Sequence, residues 1–402
     1  MKNPKKQRTG LSSPSYLLLL CIPLVVVIAV VLAYPQPKLD WEKDFLPMAR
    51  GYVNTENPDD QVLKGLTVAI TGATSGIGKA LTQFLVGKGA TVVAMGRSAA
   101  KLEELTQETT GGGNIVPITM ELTDLNSVAK AADEIKQQFE YIDVLVCNAG
   151  MHYTKGMNIF AKDYWKLPET KHGHDMSFTV NYLSHFLLTE KLLPALAKSP
   201  KPLLLQMSSS YHWGADGRDL DPIGGMLPSA AKPGGPTWLF SNSRAYANSK
   251  LAQILHARAL RTQHSFLRTV SVCPAWAATS IGGDPGSLTH TSMSYLAYPL
   301  EDNGWGLAST LRALLDYDND TEDFYINTGL SRLGPYLLVF PHWMTDTGLR
   351  ILITDTFAIG VMLFLQKFFH TASPAPSSVE SYDMELGMRL YHWSKEKVKE
   401  YL

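Results

Sequence analysis

Tyr246 and Lys250 stand four residues apart in the stretch SNSRAYANSKLA. On a helix that spacing puts both side chains on one face. A phenol beside an ammonium is a candidate proton donor and base. A free tyrosine titrates near 10 (roughly), and a cation one turn away stabilises the phenolate and lowers that value. The spacing alone is common: Tyr34/Lys38 and Tyr391/Lys395 share it. Tyr34/Lys38 encloses Pro35 and Pro37, which a regular helical turn does not accept. Tyr391/Lys395 lies in a charged tail, ending KEKVKEYL, and reads as a solvated helix face. Tyr246 instead follows a strand-like run that ends in serines, LLLQMSSS.

A second chemical signal lies far upstream. TGATSGIGKA carries Gly72, Gly76 and Gly78, with Ser75 and Ile77 between them. Glycines there permit a tight turn and let a pyrophosphate approach the backbone. The helix that follows points its unpaired N–H groups at the anion. The second strand ends in AMGRS, where an NAD site usually carries an acid for the ribose hydroxyls. No acid is present, and the Arg97 guanidinium can pair with a 2′-phosphate, so NADP(H) is the expected cofactor. Glu121, in MELTDL, is the next candidate, as an acceptor for the adenine amino group.

These residues need a scaffold, and the pattern supplies one. LTVAITG, TVVAMGR, NIVPITMEL and IDVLVCNAG read as buried parallel strands. KALTQFLVGKG, AAKLEELTQET and SVAKAADEIKQQF alternate with them as helices. The alternation continues through KPLLLQMSSS, the helix of Tyr246 and RTVSVCPA, then a helix in NGWGLASTLRALLD and a short strand in EDFYIN. This order predicts an α/β, Rossmann-type doubly wound parallel sheet with helices on both faces.

With the glycine turn, CNAG, TVNYLSHFLLT, QMSSS, YANSK and CPAWAAT in this order, the chain resembles the short-chain dehydrogenases/reductases over about Leu63 to Asn327. NYLSHFLLT and GWGLAST are most similar to the membrane-anchored retinol-dehydrogenase-like branch, which acts on lipophilic alcohols and carbonyls. The resemblance implies a nicotinamide cofactor and a catalytic set of Asn181, Ser209, Tyr246 and Lys250, with Ser210 close enough to compete for the serine's place. It places Asn148 and Gly150 beside the adenosine ribose and Thr279 at the nicotinamide carboxamide. Lys250 would also hold the nicotinamide ribose, Ser209 the substrate oxygen, and Asn181 a water linking Lys250 to solvent. Two departures are visible. Pro274-Ala275 stands where the family usually has Pro-Gly, and the segment from Ser209 to Tyr246 is long and rich in Gly and Pro, as an extra loop over the pocket would be.

The implied function is NADP(H)-dependent interconversion of a lipophilic alcohol and its carbonyl, with retinoid, steroid, polyprenoid or long-chain lipid substrates. Two alternatives stand beside it: a catalytically silent NADP(H)-binding scaffold, and a pigment-type reductase of a C=C bond. Other signals are weaker. HGH at His172 to His174 lacks a third ligand at useful spacing and reads as a loop. His152 and Tyr153 line the pocket or serve as scaffold. No metal site is expected.

The 402 residues carry a formal net charge of -1 and no basic block in the folded part, which argues against nucleic acid as a partner. The 3 cysteines are scattered and suggest no disulfide framework. Basic residues precede an apolar run from Tyr16 to Tyr34, long enough for a transmembrane anchor. A cleaved signal peptide is the competing reading. The expected layout is a tail and anchor over 1–34, a linker over 35–62, the dehydrogenase domain over 63–330 and an extension over 331–402. The bilayer of the endoplasmic reticulum or a lipid droplet is the expected location, and a homodimer is compatible with it. Ile351 to Gln366 is apolar but short and contains Asp355, so it is a buried helix, an interfacial segment or a second span. In the extension, Leu386, Leu390 and Trp393 share one helical face.

Overall fold

The computed structural model describes residues 40–48, 61–152, 169–215, 217, 220, 241–274, 277, 300, 305–317, 323–327 and 372–402. All belong to the compact unit Pro37–Leu402. The apolar run at 16–34, Thr279, the segment 351–366 and most of the Gly/Pro-rich segment before Tyr246 lie outside the described residues. Among the described residues, no helix is long and apolar enough to cross a membrane.

Among the described residues, eight strands form one sheet in the order β3-β2-β1-β4-β5-β6-β7-β8. They are β1 (Thr67–Thr71), β2 (Thr91–Gly96), β3 (Asn114–Thr119), β4 (Val144–Cys147), β5 (Leu203–Met207), β6 (Arg268–Cys273), β7 (Phe324–Asn327) and β8 (Ala372–Pro374). The first seven run parallel, and β8 joins β7 antiparallel. The near-continuous apolar strands follow from burial on both faces. Alternation then sorts their side chains: Ala69 packs with one core, Val68 and Ile70 with the other. Pro117 is tolerated because β3 is an edge strand.

The principal helices are α1 (Gly76–Gly87), α2 (Ala99–Glu108), α3 (Leu125–Gln138), α4 (Ser184–Leu196), α5 (Ser241–Gln263), α6 (Ala308–Leu315) and α7 (Met384–Lys397). Helices α1, α2 and α6 cover one face, and α3, α4, α5 and α7 the other. Ser98, Asp124 and Asp383 cap α2, α3 and α7 by accepting backbone N–H bonds. Strand order reverses between β1 and β4, which opens a crevice beyond their carboxyl ends.

Three segments differ from the sequence expectation. Within the expected linker, residues 40–48 pack on the domain: Phe45 and Leu46 are buried, and Trp41 meets Phe84 edge-on at 5.1 Å. The expected extension contains β8, which pairs with β7, so the extension completes the sheet. Helix α7 uses the expected apolar face, but Tyr391 is buried at 4% exposure and is not on a solvated face. It packs with Leu386 and Leu390 into the core that α5 also fills.

Candidate active site

The crevice is built first from backbone. Gly72 and Gly76 have φ of 66° and 54°, in the region that favours glycine. A Cβ on Gly78 would strike the Gly72 carbonyl oxygen, so the turn closes tightly on α1. Ile77 anchors this turn in the core. Ser75 is exposed at the N-cap of α1, and its hydroxyl makes no capping bond. The first N–H groups of a twelve-residue helix therefore face the crevice without a side-chain cap. A pyrophosphate fits this cradle.

Thr71 locks the floor. Its hydroxyl accepts the N–H groups of Asn148 and Ala149, both at 2.9 Å. The Asn148 side-chain amide donates back to the Thr71 carbonyl at 2.8 Å. The Thr71 proton is left for His185 Nε2, at 2.9 Å. That assignment puts the ring proton on Nδ1, which donates to the Asn181 carbonyl at 2.9 Å. Burial lowers the pKa of His185 to about 4, so the ring is neutral.

Asn181 sits in a π-wound turn, Thr179–Leu183, before α4. Such wide turns recur at functional sites. Its side chain accepts from Met151 N at 2.8 Å and donates to Met151 O at 3.0 Å and to Ser249 Oγ at 2.9 Å. The amide is thus committed to joining the strand end of β4 to α5. Both of its donors are used, so the expected water relay through this side chain has no free N–H.

Helix α5 brings Tyr246 and Lys250 to the same place. Both are buried, at 6% and 2% exposure. The Ser209 hydroxyl lies close enough to the Tyr246 phenol to act on it and hold its pKa down against burial. Ser210 begins the 3-10 turn that follows, Ser210–Gly214. Lys250 Nζ donates to Met207 O at 2.8 Å and to Gln253 Oε1 at 3.1 Å, and lies 5.5 Å from the Tyr246 ring centre. A Cβ on Gly150 would lie 3.3 Å from that nitrogen and 3.4 Å from Asn181 Oδ1. Gly150, Asn181 and Lys250 therefore converge.

The electrostatics depart from the simple expectation. Burial lowers the pKa of Lys250 to about 7. Burial also raises that of Tyr246, opposed by the Ser209 hydroxyl. The protein's own groups thus keep the phenol protonated, which suits a proton donor. His152 stacks on Tyr246, ring centres 4.6 Å apart, and Tyr211 meets it edge-on at 5.2 Å. Both shield the phenol from solvent.

Arg97 stands exposed after β2 and, among the described residues, has no ion-pair partner. Glu121 lines a pocket of about 390 Å³ with Thr123, Lys171 and Met176. Its carboxylate accepts from Thr123 N at 3.0 Å, so it also closes its own turn. His172 and His174 contact Tyr401 and Trp393, and hold the C-terminus. No cluster of metal-ligating side chains occurs among the described residues. Cys147 is buried and its thiol is pushed up to about 12, which removes it as a nucleophile.

Sequence reasoning missed Thr71, His185, Ser249 and Gln253 as parts of the site. The available signals were the threonine before the glycine turn and the histidine one helical turn after Asn181.

A doubly wound sheet with a glycine cradle at its switch point, next to a Ser-Tyr-Lys cluster whose tyrosine and lysine are buried, defines a nicotinamide-dependent oxidoreductase. The family model of the short chain dehydrogenases matches residues 66–213. Retinol dehydrogenase 14 of Mus musculus is 33% identical over 259 residues, which are 60% of this chain and 68% of that protein. Retinol dehydrogenase 13 of Homo sapiens is 29% identical over 234 residues, 57% of this chain and 64% of its own length. The chain thus spans about two thirds of these relatives. A solved structure of an uncharacterized protein from Mycobacterium paratuberculosis has the same fold, with a TM-score of 0.52 at 23% identity, covering 84% of this chain and 94% of that one. The chain belongs to the short-chain dehydrogenase/reductase family, in its retinol-dehydrogenase-like branch.

Proposed function

We propose that this protein is an NADP(H)-dependent oxidoreductase that interconverts a lipophilic alcohol and its carbonyl at a membrane. The observation that carries the reading is the buried pair on one helix face, with Lys250 Nζ 5.5 Å from the Tyr246 ring centre and Ser209 near the phenol. The similarity to retinol dehydrogenases and the apolar run at 16–34 support a lipophilic substrate and an anchored protein.

Bound in the crevice, the nicotinamide supplies or accepts the hydride. The residues of the chain manage the oxygen. In reduction, Tyr246 gives its proton to the alkoxide oxygen as it forms. Ser209 donates a hydrogen bond to the same oxygen and stabilises its developing charge. In its protonated form Lys250 has a third N–H beyond those given to Met207 and Gln253, available for a ribose hydroxyl or for steadying the phenolate. Gly72, Gly76 and Gly78 hold the pyrophosphate with Ser75 and Ile77, and Asn148 and Gly150 border the adenosine ribose. Arg97 would pair with a 2′-phosphate and Glu121 would border the adenine, and the family resemblance assigns the carboxamide to Thr279.

The test is turnover of retinal, steroid ketones and long-chain aldehydes in detergent or liposomes, with NADPH and with NADH. Turnover with NADPH favoured over NADH is expected. Arg97→Ala should erase that preference, at about 10-fold or more in NADPH affinity, for loss of a charged pair. Equal use of both cofactors by the parent protein would refute the Arg97 assignment.

A further inference from the structure

The C-terminal extension reaches the serine of the site through one histidine. His212 is fully buried, three residues after Ser209. Ser378 N donates to His212 Nε2 at 3.1 Å. The ring proton therefore resides on Nδ1, 2.6 Å from the Ser209 carbonyl oxygen, to which it donates. The His212 backbone N–H bonds the same carbonyl at 3.1 Å. Trp213, at 4.1 Å between ring centres, and Phe324, at 5.2 Å, pack against the imidazole. The carbonyl of Ser209 is thus clamped by a ring whose other nitrogen is held from the extension.

The same segment grips the helix that bears Tyr246 and Lys250. From α5, Arg258 bonds Ser381 Oγ at 2.7 Å and Ser377 Oγ at 2.9 Å. It pairs with Asp323 at 2.6 and 2.9 Å and lies 3.8 Å over the Tyr382 ring. Ser377 and Ser381 also meet each other at 2.7 Å. One short stretch, 377–382, therefore holds the serine turn through His212 and the tyrosine helix, about three turns beyond Tyr246, through Arg258. The segment lies outside the residues 66–213 that the family model matches.

We infer that residues 377–382 brace the site, and that His212 is a positioning residue that sets the placement of Ser209 against Tyr246. The inference rests on Ser209 and Tyr246 acting as proposed above. A misplacement of about 1 Å in such a contact can lower turnover about 100-fold.

Ser378→Pro replaces the N–H that holds His212 with a ring carbon, which breaks that bond and displaces the imidazole. Ser378 has φ of -64° and ψ of 154°, which proline adopts. Its hydroxyl is buried and has no partner among the described residues, and its carbonyl, which accepts from Ser381, is kept. The expected result with NADPH and retinal is a fall in kcat of about 10- to 100-fold, with the NADPH dissociation constant unchanged within about twofold of the parent value. His212→Phe should fall at least as far. His212→Asn can still donate to the Ser209 carbonyl and should recover most of the loss. Val379→Ala, on an exposed side chain, is the control.

If Ser378→Pro does not fold, the His212→Phe and His212→Asn pair decides alone. Equal kcat in that pair, or a kcat within twofold of the parent in both Ser378→Pro and His212→Phe, overturns the brace. Losses of kcat and cofactor binding in parallel with melting temperature also overturn it, since they mark general destabilisation. Full activity in Tyr246→Phe would instead strike the proposed chemistry, which keeps the two failures distinct.

Discussion

Two Tyr-x-x-x-Lys pairs sit on described helices of this molecule, and their internal geometry is nearly the same. Lys250 Nζ is 5.5 Å from the Tyr246 ring centre, and Lys395 Nζ is 5.6 Å from that of Tyr391. The surroundings differ. The Tyr391 hydroxyl donates to Glu190 Oε1 at 3.0 Å, and Lys395 pairs with Glu190 Oε2 at 3.3 Å. Burial and the Glu190 charge both raise the pKa of Tyr391, so the phenol is fixed as a donor to one carboxylate. Tyr246 stands by Ser209, and among the described residues no carboxylate pairs with Lys250. A phenolate at Tyr391 would face the Glu190 carboxylate, whose charge opposes it and offsets the Lys395 cation. Spacing supplies the pair, and the third partner decides its use.

The largest contrast should appear when each phenol is removed. Tyr246→Phe takes away the proton donor, and kcat should fall about 10²- to 10⁴-fold, the range for general acid–base catalysis. Tyr391→Phe should leave kcat within about twofold of the parent value, a small effect on the free-energy scale. Steady-state turnover of the same carbonyl by both variants makes the comparison. A matched loss in the two would mean that the Glu190 pair also serves the reaction.

The sheet was legible because its signal is local. β1 to β7 announce themselves as short apolar runs, and the glycine turn fixes where the first helix starts. β8 did not, since Ala372–Pro374 is three residues ending in proline. Its pairing with β7 is set by the chain's tertiary course. The Ser-Tyr-Lys cluster could be named from motifs, but not its supports. Thr71 and His185 meet across 114 positions, and His212 and Ser378 across 166. No window of sequence contains both ends of either contact. Nor did the tail's charge reveal that Tyr391 is buried, because Glu190, which receives its hydroxyl, lies on α4.

Acid should distinguish the two neighbourhoods next. Around the Tyr246 site, His152 and His185 are pushed down to about 4, and His256 to about 3, in each case chiefly by burial. Their folded values lie below the unfolded value of roughly 6.5. Between the two, the unfolded chain binds more protons, so stability is full above pH 6.5 (about) and falls as pH drops. For His185 the loss approaches roughly 3 kcal/mol near pH 4 (about). Denaturant midpoints at a series of pH values should show this slope, and His185→Asn should flatten it. Tyr391→Phe should leave the slope as it was. An unchanged slope in His185→Asn would show that this ring does not carry the titration.

The smallest effect tests whether the Tyr391 triad is purely structural. The Glu190 side chain is 5% exposed, whereas that of Lys395 is 51% exposed. Losing the buried hydroxyl donor in Tyr391→Phe should cost about 1.5–3 kcal/mol, the range for a hydrogen bond to a charged group. Losing the half-exposed cation in Lys395→Met should cost less than about 1 kcal/mol, because water screens it. The two groups share one carboxylate and also touch each other, at 3.5 Å. The double variant should therefore depart from additivity by about 0.5 kcal/mol or more. Urea unfolding of the four proteins measures that coupling. Strict additivity would mean that Glu190 holds the two independently, and the resemblance to Tyr246 and Lys250 would then end at their spacing.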